Sequence, residues 1–282
     1  MHYFLLIIVV AMVALQSVIQ KQYNISAAIP NSTLFSAASS FTAMFFFILS
    51  SRFQLSFSFE LLPYSIGFAL ALSLAFVGQF LAIRHGSLSL TMLIVSYSLL
   101  VPTLYGIVVL RESLGNAGYA GIVLLLISLL LINIQTGSFS FSWKWLFYVV
   151  IAFLGNGLCS TIQKMQQLEF KGHYKNEFMI LATLMAGVTL FVISVCNHRV
   201  SLIEVKDAIR FAIPNGIANG TVNLLVLMLT GIIPNSILFP SVSAGGIVLG
   251  FVSATVFYKE RLSCIQRVGY FLGALSVLLL NI

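Results

Sequence analysis

The chain has 282 residues, of which 60% are hydrophobic and only 7% charged. Soluble domains carry about 25% charged residues, so this composition excludes a water-soluble fold and indicates a polytopic membrane protein with the lipid bilayer as partner. The net charge of +7 is carried by single Lys and Arg residues at segment ends, which fits snorkelling to headgroups and excludes a nucleic-acid arm.

A spanning helix needs about 20 apolar residues, and about ten such windows follow one another: 3–22, 33–51, 61–83, 87–110, 115–134, 143–164, 177–196, 208–230, 235–257 and 263–281. None alternates with the period of a barrel strand, so the expectation is an all-α bundle whose helices satisfy their own backbone in lipid. The opening stretch MHYFLLIIVVAMVALQS lacks the basic start of a signal peptide and is read as a retained first helix.

Span 1 closes on Ser17-Val18-Ile19-Gln20-Lys21, with Gln16 one turn before Gln20 on the same face. Span 3 contains Gln79 and is followed by Arg84-His85. That pair reads either as a solvated loop or as a gate charge, with His85 able to titrate near neutral pH. Span 6 closes on Ser160-Thr161-Ile162-Gln163-Lys164, with Asn156 seven residues before Gln163. Span 8 carries Asn215, Asn219 and Asn223 at i, i+4 and i+8. Three amides on one face are costly against lipid, where nothing pairs with them. They either cement neighbouring helices or line a cavity, and cavity lining is the reading favoured here. Pro63, Pro102, Pro214, Pro240 and Gly245-Gly246 lie within spans, as helix starts, close contacts or kinks beside a cavity.

The seven acids are Glu60, Glu112, Glu169, Glu177, Glu204, Asp207 and Glu260, and none falls mid-span. That argues against proton-coupled export of cations and against a metal carrier. Cys159, Cys196 and Cys264 fit no metal spacing and read as small buried hydrophobes; no metal or cofactor is expected. Sequons begin at Asn24 and Asn31, and a third match, at Asn219, lies within span 8.

Shifted by 148 positions, Arg111–Ile134 falls on Lys259–Ile282. Glu112 then meets Glu260, Gly121 meets Gly269, Ser128 meets Ser276 and Asn133 meets Asn281. Across spans 1 and 6 the shift is 143, and the difference is ascribed to a longer loop around Glu169–Lys175. The chain therefore divides into residues 1–140 and 141–282, two halves of five spans. An odd number makes the second half enter the membrane from the opposite side, as an inverted repeat.

Ten spans in two fives, with Arg111-Glu112-Ser113-Leu114 and Lys259-Glu260-Arg261-Leu262 after spans 4 and 9, resemble the drug/metabolite transporter superfamily, EamA-like branch. The resemblance covers essentially the whole chain. It implies a multi-pass protein of the plasma membrane with both ends in the cytoplasm, whereas counting Lys and Arg over the loops prefers the reverse orientation. It also implies that spans 1, 3, 4, 6, 8 and 9 surround a substrate, with 5 and 10 peripheral. Gln79, Tyr97 and Ser98, together with Ser241 and Ser243, then fall where cavity walls are expected. Glu112 and Glu260 cap or pair near helix ends.

The function expected is a secondary transporter, an exporter, exchanger or facilitator of a small polar metabolite such as an amino acid or related zwitterion or anion. It works by alternating access as a monomer or homodimer. A charge in mid-bilayer costs roughly 2.5–3.5 kcal/mol, so Lys21 and Lys164, at predicted span ends, either snorkel or attract substrate at opposite mouths. The substrate-binding candidates are thus Gln16, Gln20, Lys21, Gln79, Tyr97, Ser98, Asn156, Gln163, Lys164, Asn215, Asn219, Asn223, Ser241 and Ser243. A flippase of a lipid-linked sugar or polar headgroup is the alternative. An intramembrane enzyme is disfavoured, because the four His lie at segment ends and neither a nucleophile elbow nor a phosphate loop occurs.

Overall fold

A computed structural model describes residues 2–85, 97–112, 115–132, 143–197, 200–230, 232–234, 236–242, 245 and 263–280. Among the described residues the chain is helical throughout: α1 His2–Ser26, α2 Ser32–Ser50, α3 Leu62–His85, α4 Leu100–Val108, α5 Asn116–Ile132, α6 Trp143–Glu169, α7 Lys175–Asn197, α8 Leu202–Thr230 and α9 Cys264–Leu280. Helices α1 to α8 follow the first eight expected spans, and α9 is the tenth. The part of span 4 before Tyr97 and most of span 9 lie outside the described residues, as does Ser243. Six helices (α1, α2, α3, α6, α7 and α8) are long and apolar enough to cross a membrane.

Apolar side chains cover the outside as well as the inside. Phe4, Phe45, Leu70, Phe147, Val188 and Ile213 are all exposed. Such a surface is stable only in hydrocarbon, since water would penalise each of these groups. The helices hold together instead through small residues that let backbones approach. Gly155 of α6 lies against α3 so closely that a Cβ there would sit 2.7 Å from the Ala71 carbonyl oxygen and the Ala75 nitrogen. Gly216 of α8 is pressed in the same way onto Ser39 and Thr42 of α2.

The main packing pairs are α3 with α6, α1 with α8, α2 with α7, α2 with α8, α3 with α7 and α5 with α9. A Cβ on Gly245 would meet Val10 of α1 at 2.6 Å, so the glycine of span 9 serves close packing. Pro63 starts α3, while Pro214 sits on the exposed side of α8, away from the interior. At the α5–α9 contact Ser128 donates to the Gly269 carbonyl at 2.7 Å, and Ser276 is equally buried, its hydroxyl turned back to Gly273.

The structure revises several expectations. Helices α1 and α6 run beyond the predicted span ends, to Ser26 and Glu169. Lys164 is therefore more than one turn inside its helix rather than at its end. The link between α6 and α7 is no longer than that between α1 and α2: five residues each, 170–174 and 27–31. Its tightness rests on left-handed backbone at Lys171, Gly172 and Tyr174, where glycine is the residue free of steric cost. The halves differ in length instead at α7, with 23 residues against 19 in α2, at α8, with 29 against 24 in α3, and in the shorter link between α7 and α8. Cys159 is buried as expected, but Cys196 and Cys264 are exposed on the surface. Asn31 is no glycosylation acceptor in this fold. It caps α2 by accepting from Leu34 N–H, and its buried amide donates to Glu204 Oε2 and Ser194 Oγ. The link between α1 and α2 is thus tied down by polar bonds to α7 and α8.

Candidate functional site

The interior of the bundle holds a polar cavity of about 320 Å³. Among the described residues its walls come from α1, α2, α3, α6, α7 and α8. From α8 come Asn215, Asn219 and Asn223; from α1, Gln16 and Gln20; from α6, Asn156 and Gln163. The i, i+4, i+8 spacing of the three Asn keeps them on one helical stripe, and that stripe turns inward.

The amides form a chain across the cavity. Gln163 Nε2 donates to Asn223 Oδ1 at 2.6 Å, Asn223 Nδ2 to Asn219 Oδ1 at 3.0 Å, and Asn219 Nδ2 to Gln16 Oε1 at 3.1 Å. The chain therefore joins α6, α8 and α1. Asn215 Nδ2 donates to Ser39 Oγ of α2 at 3.0 Å, while Asn215 Oδ1 is buried without a hydrogen-bond partner. Asn156 turns its amide back to the Ala152 carbonyl of its own helix. A buried amide group left unmatched costs about 1–3 kcal/mol, so Asn215 Oδ1 is an acceptor open to a donor in the cavity.

Lys164, the residue after the cavity-lining Gln163, points elsewhere. Its Nζ donates to the Thr230 carbonyl at the last residue of α8, 2.8 Å away, and lies 3.6 Å from Glu112 Oε1. A cation there satisfies an orphan carbonyl and meets the negative end of the α8 dipole. Glu112 Oε2 also accepts from Ser236 N–H, where the helical stretch 236–242 begins. One ion pair thus ties α6, the segment after α4, the end of α8 and the start of span 9.

Seven of the residues expected at the site line the cavity, and others lie elsewhere. Tyr97 donates to the Leu126 carbonyl of α5 at 3.1 Å. Ser98 is buried at the α4–α6 contact, its carbonyl oxygen 2.9 Å from where a Gly157 Cβ would stand. Gln79 and Ser241 do not line the cavity. His85 is exposed, with Nδ1 2.8 Å from the Leu81 carbonyl and its ring 5.3 Å from that of Tyr148. The side chains of Lys21 and Arg84 lie outside the described residues.

Sequence reasoning missed the hydroxyls of α2. Ser36, Ser39 and Ser40 line the cavity, with Thr183 of α7 opposite. Their i, i+3, i+4 spacing is the same one-face signal that marked the Asn stripe. The resemblance, which leaves spans 2 and 7 out of the wall, directs attention away from them.

An apolar outside, six long apolar helices and a polar interior define an integral membrane protein of the all-helical class. No family model matches the chain, and no curated protein matches it either. Solved structures do match. One, described only as "Crystal structure of protein", covers 99% of this chain and 98% of its own with a TM-score of 0.79 and 16% identity. At that identity the likeness is one of fold.

Proposed function

We propose that this protein is a secondary transporter that carries a small polar solute across a membrane by alternating access. The observation that carries this reading is the cavity itself. Seven amide side chains converge on about 320 Å³ inside a bundle whose exterior is apolar, and buried amides are retained at such cost only where something pairs with them.

The pattern of helix contacts supports two inverted five-helix halves, and ten spans in all. Exchange span 1 with 6, 2 with 7, 3 with 8, 4 with 9 and 5 with 10. The pair α1–α8 then becomes α6–α3, and α2–α8 becomes α7–α3, while α2–α7 and α5–α9 map onto themselves. The α4–α6 contact corresponds to that of Gly245 with Val10. Halves related in this way can open one mouth or the other by the same motion. With the two Glu-x-Leu motifs, this supports membership of the drug/metabolite transporter superfamily and a place in the plasma membrane.

The cavity walls carry amides, hydroxyls and phenyl rings, without an acid–base pair among the described residues, which favours binding over catalysis. The flippase alternative needs a lateral opening for a lipid tail. An apolar groove of about 300 Å³ does lie outside α2, α7 and α8. The seam where Gly216 meets Ser39 and Thr42 separates it from the cavity.

Reconstitution into liposomes tests the reading. Saturable uptake of a labelled polar metabolite above protein-free liposomes, lost in Asn223→Ala, is the expected result. Equal leakage with and without protein across a broad metabolite panel would remove the transporter reading.

A further inference from the structure

Resting on the transporter reading, we infer that the solute carried is uncharged: a hydroxyl- and amide-rich molecule of monosaccharide to nucleoside size. This departs from the zwitterion or anion expected from Lys21 and Lys164.

Among the described residues, no Asp, Glu, Lys or Arg lines the cavity. A cation next to its wall, Lys164, is turned away from it onto Glu112 and the Thr230 carbonyl, so its charge is already matched. Nor, among the described residues, does a helix terminus substitute for a charge. Discontinuous helices of transporters aim N-terminal N–H groups at carboxylates, but among the described residues the helices that wall this cavity are each continuous. The first turn of α2 is the nearest such end, and its Leu34 N–H is taken by the Asn31 cap.

An ion entering such a space leaves water without a counter-charge, a penalty of several kcal/mol per ion even after relaxation. A zwitterion has two charged groups to desolvate, with only their mutual attraction in return. A neutral solute exchanges hydrogen bonds to water for hydrogen bonds to amides, at little net cost. Asn215 Oδ1, unpartnered on a side chain that is only 5% exposed, is the acceptor that such a solute's O–H or N–H would satisfy. Phe35, Phe68 and Phe76 supply apolar wall for a carbon skeleton or ring. A volume of about 320 Å³ corresponds to about ten waters at ~30 Å³ each, which sets the size.

The experiment is solute counterflow into liposomes holding the full-length protein, with labelled ribose, glucose, uridine, alanine, glutamate and choline as probes. It is paired with charge movement on a supported membrane and with the thermal shift each probe causes. Saturable counterflow of ribose, glucose or uridine, with no current and no response to an imposed potential, is expected. At least a tenfold preference over the three ionic probes should accompany it. Saturable flux of alanine, glutamate or choline without that of a neutral probe would overturn the inference while leaving the transporter reading standing. No flux and no thermal shift with any probe would overturn both.

Discussion

Nζ of Lys164 lies 3.6 Å from Oε1 of Glu112, and the two side chains are only 7% and 13% exposed. They come from different halves of the chain, and neither lines the cavity. Removing one partner leaves a buried charge unmatched, which costs about 3–5 kcal/mol, whereas replacing both by apolar groups is often neutral. Glu112→Gln and Lys164→Met should each lower the melting temperature in detergent. The double variant Lys164→Met/Glu112→Leu should recover most of the loss. Additive losses in the double-mutant cycle would show that the pair is not coupled.

Asn223 both accepts from Gln163 and donates to Asn219. Asn223→Ala should cut transport at least tenfold by breaking the amide chain, a loss of about 1.4 kcal/mol or more. Asn156→Ala removes a bond to the helix's own Ala152 carbonyl and should cost less than Asn223→Ala. Competition binding on both purified variants decides the order, and equal losses would remove the special role given to the chain.

Gly155 packs directly onto the α3 backbone. A Cβ there would stand 2.7 Å from both Ala71 O and Ala75 N, and neither is a flexible side-chain end that can yield. Gly155→Leu should force α3 and α6 apart, with a penalty of at least ~1–3 kcal/mol, and reduce the monodisperse fraction on size exclusion. Gly115 has nothing within 4 Å of the same position, and Gly115→Ala should be tolerated. A well-folded Gly155→Leu would contradict the close α3–α6 contact.

Tyr97 spends its hydroxyl on Leu126 O rather than on the cavity. Tyr97→Phe should cost about 1 kcal/mol of stability, one hydrogen bond, and leave the KM for solute unchanged. A raised KM would place the hydroxyl in the transport path after all.

The Asn stripe and the Ser-x-Ile-Gln-Lys endings are legible in the sequence because helical periodicity reports which residues share a face. The α2 serines carry the same signal, but periodicity does not say what a face meets. Tyr97, Gln79 and Ser241 lie on spans that the resemblance assigns to the wall, yet none of them lines the cavity, and Tyr97 bonds to α5 instead. Asn31 matches a sequon but is consumed by a helix cap and Glu204.

Composition alone determined a membrane-spanning helical protein, because so few charges and so many apolar residues have no other stable home. The order of its first eight helices followed from runs of the right length between polar breaks. Only the tertiary structure decided the fate of Lys164, whose partner stands 52 residues earlier in the chain. A local pattern cannot tell a cation that greets solute from one held by a distant carboxylate. That distinction depends on which helix ends the packing of small residues brings together.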